Sequence, residues 1–448
     1  MKKKLALFLG LVPFLAAAQN PIIQTKYTAD PAPMVHNDTL FLYVGCDEKD
    51  APHNAYLMRE YRLYTTTDMV NWTDCGAPLR TSDFKWSAGD ASAAQCIERD
   101  GKFYWYISSQ NKFSPGSSIG VAVAESPYGP FKDALGKALV TNNMTTAAKH
   151  SWDDLDPTVF IDSNKQAYLY WGNGVCYQAK LNKDMISLNG PITALDIKDK
   201  TAFFGKFTEA PWVYKRNNLY YMIYAAEFPE SIHYSTGQTA EGPWKAEGVV
   251  MPLEKGSNTN HPGIIDYKGN SYFFYHTGKL PGGGGFGRSA AVEQFKYNAD
   301  GTFPIINATR EGVSPVGTLN PYKRTEAETI AWAQGVVSAT DKETGVYITS
   351  IHNTDYIKVR DVDFGSKGAS QFTASASSRY HGGEIELRID SLEGDVIGSL
   401  KIPYTGEWNN WEQHSTNVKT TKGVHDLYLI FKGRTPHELF NFDYWMFK

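Results

Sequence analysis

An all-β fold, a five-bladed β-propeller followed by a β-sandwich (jelly-roll) domain, is what this sequence predicts, and three observations carry it. One phrase is written four times clearly and once in degraded form between residues 30 and 275: an acidic residue or histidine ahead of Pro or Ala-Pro, a short apolar strand, a polar turn, an aromatic strand. Phe, Trp and Tyr make up 14% of the chain and cluster in short strands parted by Asn-Asp, Asp-Gly and Asn-Asn turns, with almost no helical periodicity. After Pro321 the text changes to alternating strands such as Gly383-Glu-Ile-Glu-Leu-Arg-Ile-Asp390.

The clear copies begin at Asp30-Pro-Ala-Pro, Asp156-Pro-Thr-Val, Glu209-Ala-Pro-Trp and His261-Pro-Gly-Ile; the fifth, at Ser92-Ala-Ala-Gln, has lost its leading charge. Repeats of one hairpin indicate blades arranged radially. A turn residue (Asp38, Asn164, Asn217, Gly269) stands eight positions after each leading residue, so the four leading groups are expected at equivalent strand starts, converging on one axis.

Three segments follow. Residues 1–18, with Met1-Lys-Lys-Lys, an apolar run from Leu5 to Leu15 and Ala16-Ala-Ala18, read as a signal peptide, and the mature protein is expected in the periplasm or outside the cell. Residues 19–318 form the propeller, and the Gly/Pro-containing stretch Gly312–Pro321 closes it or links it to the sandwich over residues 322–448. No later segment is a membrane span, and a net charge of −4 gives no electrostatic footprint for nucleic acid. Cys46, Cys75, Cys96 and Cys176 fit no zinc spacing and read as buried thiols.

Two Asp, one Glu and one His around a hollow suggest division of labour rather than four copies of one turn cap. Cleaving a glycosidic bond needs a proton donor for the departing oxygen and, in the inverting route, a second carboxylate that activates water on the opposite face. Asp30 and Glu209 come from non-adjacent blades and suit the wide separation that inversion requires, while Asp156 places a further negative charge nearby, which raises the pKa of a neighbouring acid. Trp86, with Phe84, is a candidate for stacking on a sugar, against ordinary packing.

On the texts Thr-Ala-Asp30-Pro-Ala-Pro, Leu-Asp156-Pro-Thr-Val-Phe and Phe-Thr-Glu209-Ala-Pro-Trp, residues 20–318 resemble glycoside hydrolase family 43. The resemblance implies Asp30 as general base, Asp156 as the residue that orients and tunes the acid, and Glu209 as general acid, with no catalytic cofactor. It extends to Asn260-His261-Pro-Gly, where the family's axial His lies beside a cation or water; by residue type alone His261 equally suits a structural histidine. Pro281-Gly-Gly-Gly-Gly-Phe-Gly-Arg288 lacks the ending of a phosphate loop and reads as a flexible rim delivering Arg288, which in the family pairs with an active-site aspartate; Gly287 stands where a second Arg is common.

From Arg324-Thr-Glu-Ala-Glu328 to Asn441-Phe-Asp-Tyr-Trp445 the chain resembles a family 6 carbohydrate-binding module. Glu326 and Glu328 are two apart, so on a strand both face one side and can share a hard cation; the family places calcium there with an acid matching Asp443. The resemblance also implies Tyr347 and Trp408 as a ring pair and Asn441 as a polar contact for sugar; Trp411, judged by strand alternation, reads as core. The expected activity is exported, inverting hydrolysis of pentose-containing plant polysaccharide, foremost removal of α-L-arabinofuranosyl groups from arabinoxylan; β-xylosidase and a non-catalytic carbohydrate-binding protein are the alternatives.

Overall fold

The structure is a computed structural model that describes residues 19–434 and 436–448. The expected leader, residues 1–18, lies outside them. Five antiparallel sheets make up the first domain, with first strands Thr28–His36, Ser87–Arg99, Thr158–Ile161, Phe207–Arg216 and Gly263–Tyr267. Each sheet is a blade in which successive strands are neighbours. The first strand of blade 1 lies against those of blades 2 and 5, and that of blade 3 against those of blades 2 and 4. The phrase in the sequence is therefore the innermost hairpin of a blade.

Its prolines and glycine serve close approach at the hub. A Cβ on Gly263 of blade 5 would meet the Pro31 carbonyl oxygen at 2.4 Å and Pro33 at 2.5 Å, so only glycine lets these two inner strands touch. Fully buried Tyr43, Trp105, Ile223 and Phe273 fill the space between blades. The last blade has three strands of its own, and the start of the described chain runs beside it: Ile22 N donates to Ala290 O at 2.8 Å and Val292 N to Asn20 Oδ1 at 3.0 Å. That edge is thereby satisfied.

The second domain is a sandwich of two antiparallel sheets, one containing Asn441–Phe447 and Ala369–Ser377, the other Tyr356–Asp363 and Val424–Lys432. Its core is separate, built on Ile357, Phe372, Leu387, Leu429 and Trp445. The two domains are in series, as the sequence predicts, and also stitched side by side. Thr329–Ile330 pairs with Trp72–Asp74 and so extends blade 1, Asn71 and Arg360 exchange two hydrogen bonds at 2.8 and 2.9 Å, and Ser338 Oγ donates to buried Asp74 at 2.8 Å. All four cysteines are free; burial pushes the Cys46 and Cys75 thiols up to about 12.

Candidate active site

At the hub the inner strands are bulged. Between the pairs Ala29↔Gly45 and Ala32↔Tyr43 the first strand of blade 1 advances three residues against two, and the same irregularity recurs at Ala91/Ala94 and at Glu209/Trp212. A bulge re-aims side chains at the end of a sheet. Asp30 takes φ 54° and Asp156 φ 57°, left-handed conformations that cost energy for residues bearing a Cβ. Such strain at two carboxylates facing one hollow marks a site.

The four leading groups do not share one register, contrary to the equal spacing in the sequence. The tight turns place Asp30 six residues before His36 (paired with Thr39) and His261 six before Tyr267 (paired with Asn270), but Glu209 seven before Arg216 (paired with Leu219). Ala210, with φ 57°, is the true counterpart of Asp30. Glu209 thus projects from the residue preceding the left-handed kink, and its carboxyl enters the hollow by a different direction from that of Asp30.

The hollow is a cavity of about 540 Å³ lined by Asp30, Asp156, Glu209 and Arg288, together with Tyr56 and Glu230. Arg288 is buried, with Nη1 3.0 Å from Asp30 Oδ1, while its Nε and Nη2 donate to the two oxygens of Asp47 at 3.0 and 2.9 Å. The Tyr56 ring lies 4.6 Å from its guanidinium, and Phe286 packs on that ring. The glycine rim is held by its own backbone: Gly283 N donates to Leu280 O, and Gly284 and Gly287 bond to each other. The rim folds as a tight turn beside Arg288.

Burial alone would raise the pKa of Asp30, but the Arg288 guanidinium, helped by His276 and His261, pulls it below the ordinary carboxylate range. Asp30 is an ionised carboxylate at neutral pH. The other acids go the opposite way. Burial, followed by the charges of Glu209 and Asp30, raises Asp156 well above its usual value, and its Oδ2 accepts Ala210 N at 3.2 Å, tying it to the strand that carries Glu209. Glu209 is raised by burial and by Asp30, against a hydrogen bond from Asn173 Nδ2 to its Oε2. One carboxyl with its pKa pulled down and one with its pKa pushed up on a single cavity is the division that acid and base catalysis requires.

His261 is buried, its Nδ1 4.0 Å from Asp30 Oδ1, and burial lowers its pKa to about 4, so it is neutral. No group of three His, Cys, Asp or Glu able to hold a metal occurs among the described residues. Trp86 is 1% exposed, packs between Phe84 and Gly120, and does not line this hollow; the ring weighed for stacking on sugar is core. The aromatics at the mouth are Trp152, 53% exposed and stacked on His150 at 4.3 Å, and Phe228, 70% exposed. Neither belongs to the repeated phrase, so only topology reveals them.

In the sandwich, Glu326 and Glu328 do not share a face. A turn at Ala327–Glu328 breaks the alternation between the short strands Thr325–Glu326 and Thr329–Ile330. Glu326 pairs with Arg324 at 2.8 Å, and the same guanidinium reaches Asp443 at 3.4 Å. Glu328 is buried with Oε2 unpartnered, and burial, then Glu326, Asp74 and Asp443, raise it to about 9. Tyr347 packs edge-on to Trp411 at 5.3 Å, and Trp408 to Tyr380 at 5.5 Å. Trp411 is half-buried at this surface rather than in the core. Asn441 is buried, donating to Trp408 O at 3.0 Å and accepting from Thr349 at 2.7 Å, so it braces the Trp408 loop.

The comparison with known families decides what this hollow belongs to: residues 18–303 match Glycosyl hydrolases family 43. The chain is a member of that family. Residues 326–448 match Carbohydrate binding module (family 6). The chain is 32% identical to an arabinoxylan arabinofuranohydrolase of Bacillus subtilis (strain 168), over 96% of this chain and 92% of that one. It is 28% identical to a xylosidase/arabinosidase of Bacteroides ovatus, over 65% of this chain and 98% of that one. Among solved structures, a family 43 arabinoxylan arabinofuranohydrolase from Bacillus subtilis in complex with cellotetraose superposes with a TM-score of 0.83 at 30% identity, covering 96% and 97% of the two chains. This family 43 protein is a glycoside hydrolase with a five-bladed propeller and an attached sugar-binding sandwich, and no helix among its described residues is long and apolar enough to cross a membrane.

Proposed function

We propose that this hydrolase removes α-L-arabinofuranosyl groups from arabinoxylan with inversion: Asp30 activates water, Glu209 protonates the leaving oxygen, and Asp156 orients and tunes Glu209. The observation that carries the reading is the opposed pKa shifts of Asp30 and Glu209 on one cavity, Asp30 pulled down by Arg288 and Glu209 pushed up by burial and by Asp30. As the bond to the leaving oxygen breaks, Glu209 gives that oxygen its proton, while Asp30 takes a proton from water attacking the opposite face of the ring. The sugar is chosen by the shape of the cavity, and the relatives named arabinofuranohydrolase, matched over nearly the whole chain, support arabinose.

Trp152 and Phe228 at the mouth offer apolar faces to the polymer outside the cavity. The sandwich, with Tyr347, Trp408 and Trp411 at one end, holds the same polysaccharide. A calcium ion is proposed on Glu326, Glu328 and Asp443, acids that the described structure does not gather into a three-ligand group, so that binding requires Arg324 to leave Glu326 and Asp443. Glu328 and Asp443, both raised by burial and further by the charge of Glu326, and an unpartnered buried oxygen on Glu328 suit a hard cation. Export rests on the basic and apolar opening of the chain.

β-Xylosidase is the second reading, favoured by the xylosidase/arabinosidase relatives. Parallel incubation with an aryl α-L-arabinofuranoside and an aryl β-D-xyloside separates the two. Faster release from the arabinofuranoside is expected; faster release from the xyloside reverses the assignment, and release from neither, nor from arabinoxylan, leaves a carbohydrate-binding protein.

A further inference from the structure

The cavity holds a fourth carboxyl that the proposed roles leave without a task. Glu230 stands between the blade 4 strands Leu219–Ala226 and Ser231–Gly237, is 2% exposed, and lines the same hollow as Glu209. Its Oε2 accepts the backbone N–H of Asn260, from the segment leading into blade 5, at 2.7 Å. That bond fixes the side chain from a neighbouring blade. Its Oε1 is buried, meets no N–H or hydroxyl of the protein, and belongs to a side chain that lines the same hollow as the Glu209 carboxyl. Buried carboxyls that share one hollow do not all ionise, and an oxygen with no protein donor is where a carboxylic proton can reside.

We propose that Glu230 is a positioning residue of the hydrolysis: a neutral acid whose O–H, carried on Oε1, donates to Glu209, aims it, and stabilises the carboxylate that Glu209 becomes as it gives up its proton. The inference rests on Glu209 being the proton donor. In the step, the Glu209 O–H bond breaks, its proton goes to the glycosidic oxygen, and the bonding electron pair of the sugar C–O bond leaves with that oxygen. Negative charge is left on Glu209, and Glu230 keeps its own proton. The hydrogen bonds from Glu230 and from Asn173 Nδ2 strengthen at this moment, because an ionised acceptor binds a donor about twice as strongly as a neutral one.

Two features of the surroundings agree. Burial, followed by the charges of Glu209, Asp156 and Asp30, keeps Glu230 protonated well above the ordinary range, in spite of the bond from Asn260. Arg288, the cation among the residues lining the hollow that lies against Asp30, is already engaged by Asp30 and Asp47 and has no bond to Glu230. A protonated carboxyl serving as donor beside a reacting group is an established device of enzyme sites.

The test compares Glu230→Gln with Glu230→Met. The amide of the first can still accept from Asn260 N and donate to Glu209; the thioether of the second fills the space and donates nothing. On an arabinofuranosyl xylo-oligosaccharide, whose leaving oxygen needs protonation, Glu230→Gln is expected within about threefold of the wild-type kcat/KM and Glu230→Met to lose roughly 100-fold, the lower end of what acid catalysis supplies. On a nitrophenyl arabinofuranoside, whose leaving group needs little protonation, Glu230→Met should lose less than about tenfold. Equal losses on both substrates would mean a merely structural role, and a Glu230→Gln as impaired as Glu230→Met would mean that the residue acts as a charged base. Either overturns the inference. Should Glu230→Met not fold, retention of oligosaccharide activity by Glu230→Gln decides alone. Glu209→Gln run alongside keeps the two claims apart: if it loses equally on both substrates, the donor assignment itself fails, whereas a split for Glu209→Gln without one for Glu230→Met removes only the role of Glu230.

Discussion

Arg288 holds Asp30 and Asp47 at once, with Nη1 3.0 Å from Asp30 Oδ1 and Nη2 2.9 Å from Asp47 Oδ1. Asp47 anchors the guanidinium by a two-pronged bond, and Asp30 receives the remaining edge. The charge that keeps Asp30 ionised is thus fixed from the second strand of the same blade.

Replacing Arg288 by Gln should therefore raise the pKa of Asp30. Its folded-state value is depressed, so the ionised form is present above the ordinary carboxylate range and is lost only as pH falls far below it. In Arg288→Gln the acid limb of the kcat/KM profile moves to higher pH, and activity at neutral pH drops, by roughly 100-fold if the base is half lost and misaimed. A pH profile with an unmoved acid limb would detach Arg288 from the ionisation of Asp30.

The two tryptophans make opposite predictions. Trp86→Ala removes a fully buried ring from between Phe84 and Gly120 and should cost about 3–5 kcal/mol of stability, with a fall in Tm. Trp152→Ala removes an exposed ring at the mouth and should leave Tm within a few degrees while raising KM for arabinoxylan more than for an aryl arabinofuranoside. Thermal unfolding and Michaelis kinetics on both substrates check the pair. An unchanged KM on the polymer would remove Trp152 from the binding surface.

Calcium should stabilise the protein through the sandwich. At 100 times its dissociation constant a ligand adds about 2.7 kcal/mol to the folded state. Glu328, held protonated up to about 9, must give up its proton to bind the ion, so the rise in Tm on adding calcium after chelation grows as pH increases from 6 to 9. Glu328→Gln should abolish the rise. A Tm that ignores both chelator and calcium contradicts the proposed site.

The blades, their order and three of the cavity's acids were legible because inner hairpins repeat a phrase in which Pro and Gly are required at the hub and the leading residue is left to vary. The slip of Glu209 by one position was not, because a bulge adds a residue without changing composition. Asp47, Asn173 and Glu230 come from strand ends and turns that share no wording, and they join the site only when the blades close. Trp86 and Trp152 look alike in sequence; burial alone separates them. Glu326 and Glu328 failed as a same-face pair because a two-residue turn interrupts the period on which that reading depends.

The central claim, a base on Asp30 in blade 1 and an acid on Glu209 in blade 4 working from opposite faces of one sugar, is tested most directly by the configuration of the first sugar released. Proton NMR of an α-L-arabinofuranoside digest, recorded before mutarotation, should show β-L-arabinose appearing first. Initial release of the α anomer would mean retention through a covalent intermediate, and would contradict the account.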